Sequence, residues 1–215
     1  MRLSASLHAA DPLRLAEAVS AVAPHVGSLH VDVMDGRFAP AFGFGEQLVA
    51  ALVAAGAAPV DVHLMVDEPE RSALRFARLG VRSVAFHVEA TRDAAGLAGA
   101  IRAAGALAYA ALRPETDPAA AVGPIASAVD GILLLTAPPG GGGFSDAAFA
   151  RIARAPPGLR KIVDGRLQPG HFAALRAQDA ELAVVGAALF HGGALSERAR
   201  GFARLAAGET SAIAD

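Results

Sequence analysis

Three short segments of this chain carry residues whose types and spacing can do chemistry. His30-Val31-Asp32-Val33-Met34-Asp35-Gly36 alternates apolar and polar residues as a β-strand does. Residues two apart on a strand share a face, so His30, Asp32 and Met34 point one way and Val31 and Val33 the other. Asp61-Val62-His63-Leu64-Met65 alternates likewise and puts His63 and Met65 on one face. Lys161-Ile162-Val163-Asp164-Gly165 ends in an aspartate. A charged group buried without a partner is costly, so a histidine and an aspartate on one face of a core strand demand one. His30, Asp32, His63 and Asp164 form a candidate donor set for one divalent metal ion. Two imidazoles and two carboxylates suit zinc, iron, manganese or cobalt, and the residue types do not choose among them.

Carboxylates at such a centre can also move protons. A cation that binds a carbonyl and an adjacent hydroxyl stabilises an enediolate by Lewis-acid action. One carboxylate then removes a carbon-bound proton on one face and the other returns a proton on the opposite face, which inverts the stereocentre. Asp32 and Asp164 come from strands far apart in the order and are the candidates to flank a substrate. The competing reading makes both of them ligands only. Met34 and Met65 share the ligands' faces, where a soft apolar side chain either shields an enediolate from water or simply fills the core. Gly140-Gly141-Gly142-Gly143 lets backbone amides approach an anion closely. Gly165 and Gly186-Ala187 fall where barrels bind phosphate, after the seventh and eighth strands. Lys161 is the single lysine. Strand alternation turns it away from the face of Asp164, which leaves no residue for a lysine Schiff base.

The elements that must position these groups follow a repeating pattern. The 215 residues, 53% apolar, are enough for one large domain. The formal net charge of −2, with no basic block, argues against a nucleic-acid partner. No cysteine is present, so disulfides and thiolate chemistry are excluded. No apolar run reaches the roughly 20 residues of a membrane span. The opening residues read as a strand, not as a secretory leader, and the expected location is cytoplasmic.

Strand and helix alternate eight times. Strands are expected at Arg2–Leu7, Gly27–Met34, Pro59–Met65, Ser83–Val88, Leu107–Leu112, Gly131–Leu135, Arg160–Val163 and Leu182–Val185. Helices are expected at Pro12–Val22, Glu46–Ala55, Pro69–Leu79, Arg92–Ala104, Pro118–Ser127, Asp146–Arg154, Pro169–Ala177 and Leu195–Ala206. Alternation of this length implies parallel βαβ units, and eight of them imply a closed (β/α)8 TIM barrel over residues 1–207. An open doubly wound sheet is the runner-up, weakened by the lack of a Gly-x-Gly-x-x-Gly after the first strand. Residues 208–215 read as a small, polar, fraying tail. The four candidate ligands all fall late in their strands, where barrels place their chemistry.

At these residues the chain resembles the ribulose-phosphate 3-epimerase family. Ser6-Leu7-His8-Ala9-Ala10-Asp11 is similar to that family's Ser-x-Leu-x-Ala-Asp opening. His30 to Gly36 with Phe38 and Pro40 resembles His-x-Asp-x-Met-Asp-Gly-x-Phe-x-Pro, and Asp61 to Met65 resembles Asp-x-His-Leu-Met. Phe86-His87-Val88-Glu89 and Val163-Asp164-Gly165 also match. The resemblance implies a barrel, one divalent metal and 3-epimerisation of a ketose phosphate. It implies His30, Asp32, His63 and Asp164 as metal ligands, Asp32 and Asp164 as the acid/base on opposite faces, Ser6 in contact with substrate, and Met34 and Met65 lining the site. Asp35, by alternation, points away from the metal. The implied partner is a small-molecule sugar phosphate, and assembly into a homo-oligomer is left open.

The departures fall on the substrate side. Where the family has Met-[Ser/Thr]-Val-Asn-Pro-Gly-Phe-Gly-Gly-Gln after the sixth strand, this chain has Leu135-Thr136-Ala137-Pro138-Pro139-Gly140-Gly141-Gly142-Gly143-Phe144. Asn-Pro-x-Thr becomes Arg113-Pro114-Glu115-Thr116, Asp-Gly-Gly becomes Asp164-Gly165-Arg166, and Gly-Ser becomes Gly186-Ala187. The expected grip on substrate is therefore Gly140, Gly142, Gly143, Gly165, Arg166, Gly186 and Ala187. Two substrates stay open: ribulose 5-phosphate, interconverted with xylulose 5-phosphate, or a related ketose phosphate or sugar with a larger anionic group met by Arg166 and Arg113. Two other readings compete: a decarboxylase or aldolase-type barrel, which the placement of Lys161 disfavours, and a sugar-phosphate-binding or regulatory protein without turnover.

Overall fold

The computed structural model describes residues 1–209 and 213. Eight strands pair in chain order, all parallel, and the first closes on the last to make a barrel. They are β1 (Arg2–Ser6), β2 (Ser28–Met34), β3 (Val60–Met65), β4 (Ser83–His87), β5 (Leu107–Leu112), β6 (Gly131–Leu135), β7 (Arg160–Asp164) and β8 (Leu182–Val185). The helices outside it are α1 (Leu15–Val22), α2 (Glu46–Ala55), α3 (Ala73–Arg78), α4 (Ala94–Ala103), α5 (Pro118–Val122), α6 (Asp146–Ala150), α7 (Phe172–Ala177), α8 (Ala187–Phe190) and α9 (Leu195–Ala207). The single-domain (β/α)8 barrel is the architecture the alternation implied.

Strand alternation sorts the side chains into two cores. Val31, Val33, Val60, Val62 and Leu64 point outward and join Phe76, Phe172 and Phe202 in the apolar layer beneath the helices. Ala85, Tyr109, Ala111, Leu133, Leu135, Ile162, Leu182 and Val184 fill one side of the barrel interior. The inward residues of β2 and β3 are the polar ones. The register sets Asp32 beside His63 and Met34 beside Met65.

At the N-terminal end of the barrel, Arg82 holds Asp61 with two 2.7 Å hydrogen bonds, and Ser83 Oγ donates a third at 2.6 Å. The Tyr109 hydroxyl donates to Glu181 at 3.1 Å. Tyr109 occupies the space a side chain at Gly131 would need, since a Cβ there would lie 2.3 Å from the ring.

Several expected helices are shorter than the periodicity suggested. Pro12 and Pro69 open single 3-10 turns, and the α-helices begin only after Arg14 and Ser72. Pro169 does the same ahead of α7. Asp93 caps α4 by accepting from the Gly96 N–H, which moves its start past Arg92. Pro124 cuts α5 short, as its ring and missing N–H require, and a 3-10 turn completes the segment. The one-turn α8 carries no signal in the periodicity. Gly208 closes α9 in a left-handed conformation at φ 96°. The expectation of a fraying tail falls mostly on 210–212 and 214–215, outside the described residues, while Ile213 packs against the outer core. Among the described residues no helix is long and apolar enough to cross a membrane.

Candidate metal centre

The C-terminal ends of β2, β3 and β7 bring His30, Asp32, His63 and Asp164 together. One donor atom from each lies within 4.8 Å of the others. His30 Nε2 stands 3.3 Å from Asp32 Oδ1 and 3.5 Å from Asp164 Oδ2. His63 Nδ1 stands 3.4 Å and 3.5 Å from the same two oxygens. None of these approaches has hydrogen-bond geometry. Among the described residues, His30 Nε2, His63 Nδ1 and Asp32 Oδ1 are buried polar atoms without a hydrogen-bond partner, which is costly unless something else satisfies them. Spacings of this size are close to the edges of a tetrahedron whose arms are ~2.1 Å, the usual length for zinc with imidazole and carboxylate. The donors therefore fit a divalent cation. His30, Asp32, His63 and Asp164 are the residues that would hold it.

The electrostatics point the same way. Burial opposes charge on His30, but the Asp32 and Asp164 carboxylates outweigh it and push its pKa up to about 10. The same carboxylates raise His63 against its burial. Burial also opposes the charge on Asp32 and Asp164, yet the two imidazoles hold both below the ordinary carboxylate value. The cluster thus demands positive charge, which two protons supply alone and one divalent cation supplies in their place. A consequence is measurable. At pH 8 the His30 imidazole, with its pKa near 10, carries a proton that a cation must displace. Metal binding should therefore release protons, and affinity should rise with pH up to about 10. Calorimetry in two buffers of different protonation enthalpy checks this, and binding without proton release contradicts it.

Neighbouring groups fix the carboxylates. Ser6 Oγ donates to Asp32 Oδ2 at 2.9 Å. Buried Thr136 ties the end of β6 to the end of β7: its backbone N–H donates to the Asp164 carbonyl at 2.7 Å and its hydroxyl to the Gly165 carbonyl at 2.5 Å. Gly165 adopts φ 116°, and a Cβ there would lie 2.6 Å from the Ala137 nitrogen, so this crossing needs glycine. Arg151, unremarked in the sequence, binds the carbonyls of Thr116 and Leu135 at 2.7 and 3.0 Å and so joins the ends of β5 and β6.

A cavity of about 390 Å³ opens above the four donors. Ser6, Met34, Met65, Gly140, Gly165, Arg166, Gly186 and Ala187 line it with Asp32 and Asp164. Gly141 lines it in place of Gly142 and Gly143, which lie off the wall. Gly142 is pressed against Pro138, where a Cβ would meet the ring at 2.8 Å. Arg113 does not line the cavity either. Its guanidinium lies 4.1 Å over the Phe38 ring and donates to the Phe38 carbonyl at 3.2 Å. The expectation that Arg113 meets a substrate anion is corrected accordingly. Phe144 stacks on His171 at 4.2 Å, also away from the wall. Asp35 points away from the donors as expected. Its carboxylate accepts from the amides of Arg37, Phe38 and Asp67 and shapes the loop after β2.

His8, Gln168 and His191 line the mouth as well and were not foreseen. Alternation beyond Ser6 could have found His8, whereas nothing in the sequence marks His191. His87, noted in the sequence only within a matching motif, also has a place here. It is fully buried, two residues beyond Ala85 on the inward face of β4, and its Nε2 lies 3.0 Å from His63 Nε2.

The model of the Ribulose-phosphate 3 epimerase family matches residues 2–190. The chain belongs to that family. A ribulose-phosphate 3-epimerase of Mycobacterium tuberculosis (strain ATCC 25618 / H37Rv) is 39% identical over 164 residues, covering 75% of this chain and 69% of the relative. Ribulose-phosphate 3-epimerase 1 of Cupriavidus necator is 32% identical over 204 residues, covering 88% and 84%. Among solved structures, a 3-hexulose-6-phosphate synthase from Salmonella typhimurium superposes with a TM-score of 0.77 at 14% identity, covering 98% of this chain and 100% of that one. At that identity the likeness shows the barrel alone. Leu135, Pro138, Arg166 and Ala187, four of the departures expected from the sequence resemblance, all sit on the cavity wall.

Proposed function

We propose that this epimerase-family chain uses one divalent metal ion to invert C3 of a ketose phosphate, interconverting D-ribulose 5-phosphate and D-xylulose 5-phosphate or a close relative. The observation that carries the reading is the set of unpartnered, buried donor atoms around one gap, opening into a cavity lined by both carboxylates. A cation held by His30, Asp32, His63 and Asp164 would supply Lewis acidity that makes the C3 proton removable. The side chains do the rest. Asp32 and Asp164 each take or return a proton on one face of the sugar. The Ser6 hydroxyl orients Asp32, and Thr136 anchors the backbone of Asp164. Met34 and Met65, both largely buried, make the wall between them apolar and keep water from the reacting carbon.

The sugar's anion would rest toward Gly165, Arg166 and Gly186. Arg166 holds a left-handed backbone at φ 55°, a conformation that costs a non-glycine residue energy. Its side chain is exposed at the cavity mouth, with no hydrogen bond or ion pair to any other described residue. An arginine placed in this way offers a planar two-donor fork to a phosphate. Arg166→Gly should raise KM for a phosphorylated ketose about 10-fold or more, the size of one charge-assisted hydrogen bond, with a smaller effect on kcat. An unchanged KM would remove Arg166 from the grip. The reaction itself is tested by turnover on ribulose 5-phosphate and longer ketose phosphates. A kcat/KM of about 10⁴ M⁻¹s⁻¹ or more on any of them is the ordinary enzyme range, and failure on all of them would contradict the proposal.

A further inference from the structure

His63 faces the donor gap with Nδ1 and turns Nε2 to the opposite side. A line of hydrogen bonds runs outward from that Nε2. Glu89 Oε1 accepts from the Arg113 backbone N–H at 2.9 Å and from the Thr116 hydroxyl at 2.6 Å. Its other oxygen, Oε2, lies 3.1 Å from His87 Nδ1. Burial works against the charge on Glu89, but these donors outweigh it and hold the carboxyl at about 2. Glu89 is thus a carboxylate, and a carboxylate only accepts. His87 must therefore carry a proton on Nδ1 and donate it to Glu89. His87 is fully buried and its Nε2 faces no anion, which favours the neutral ring, and in a neutral imidazole that second nitrogen is a bare acceptor. His87 Nε2 lies 3.0 Å from His63 Nε2, so His63 must be the donor there. The remaining nitrogen of His63, Nδ1, is the one aimed between Asp32 and Asp164.

We infer that Glu89 and His87 are positioning residues that hold the His63 proton on Nε2, and so keep Nδ1 as the nitrogen that yields its electron pair to the metal ion. Outer carboxylates commonly fix a ligating histidine directly. Here the carboxylate acts through a second histidine, and Glu89 in turn is set by the backbone following β5. His30 has no such line, since among the described residues its Nδ1 is without a hydrogen-bond partner. The chain therefore sets the proton of one ligand through a hydrogen-bonded line that the other lacks. The inference rests on the metal reading above.

The deciding variant is Glu89→Gln, which keeps the shape and reverses the hydrogen bonds. Its amide oxygen stays on the Arg113 N–H, so its NH2 group faces His87 Nδ1 and donates to it. His87 then carries its proton on Nε2 and donates to His63 Nε2, which leaves a proton on His63 Nδ1 facing the cation. Titration of the metal-free proteins with Co²⁺ should show a 10- to 100-fold weaker Kd for the variant, the usual effect of losing such an outer partner. Circular dichroism of the metal-free variant reports any structural damage separately. In the Zn²⁺-loaded wild type, ¹⁵N-detected NMR should show the proton of His63 on Nε2, a result that does not depend on the variant folding. A Kd within threefold of wild type, or a loaded His63 without a proton on Nε2, overturns the inference and leaves the metal reading standing. A wild type that binds no divalent cation overturns both.

Discussion

Asp164→Asn should lower kcat on the ketose phosphate by about 10³-fold, within the range that one positioned acid/base contributes. The substitution keeps the side chain's shape and an oxygen for the cation, but removes the group that takes up a proton. Asp164 ends β7 with its carbonyl held by Thr136, and its side chain reaches both the donor gap and the cavity. Asp32→Asn should have an effect of the same order from the other side, where Ser6 fixes the carboxylate. Inversion needs a proton taken on one face and returned on the other, so neither carboxylate covers for the loss of its partner. KM should move much less than kcat in both variants, because the phosphate grip lies elsewhere on the wall. Steady-state kinetics on the metal-loaded variants decide the matter. A loss below 10-fold in either variant would mean that its carboxylate is a ligand and not an acid/base.

Asp61→Ala should cost about 3 kcal/mol of stability without touching the chemistry. Asp61 is nearly inaccessible, and it accepts two hydrogen bonds from Arg82 and one from Ser83. Removing one partner of a buried pair leaves the other charge uncompensated, which typically costs 3–5 kcal/mol. Glu181, 3.4 Å from Arg82, retains part of the compensation and favours the lower end of that range. For a chain of this size, about 3 kcal/mol corresponds to a fall in Tm of roughly 10 °C. Urea denaturation of the metal-free protein measures it. A change under about 1 kcal/mol would mean that water or Glu181 fully replaces the lost carboxylate.

The strands were legible almost to the residue because each is buried on both faces. Apolar residues look outward to the helices, so any polar residue at the alternate position had to be doing something else. That made His30, Asp32, His63 and Asp164 readable before their distances were known. The helices were less legible at their starts. Pro12, Pro69 and Pro169 suit a first helical turn, but the connection from each strand imposes a 3-10 turn first. The glycine run was recognised, but its path was not. Gly140 and Gly141 reach the cavity wall while Gly142 packs on Pro138, and composition does not encode such a path. Arg113 was assigned to the substrate on its charge, whereas the structure gives it to the Phe38 ring. The role of His87 depends on its contacts to His63 on β3 and to Glu89, which is itself held by residues beyond β5, and no local pattern carries that information.

Deuterium incorporation at C3 tests the central claim most directly. Ribulose 5-phosphate is incubated in D₂O with protein of known metal content and followed by NMR. The account predicts about one divalent ion per chain, deuterium entering at C3, and the C3 epimer appearing with it. Protein that binds no divalent ion and leaves the C3 proton in place would contradict the account.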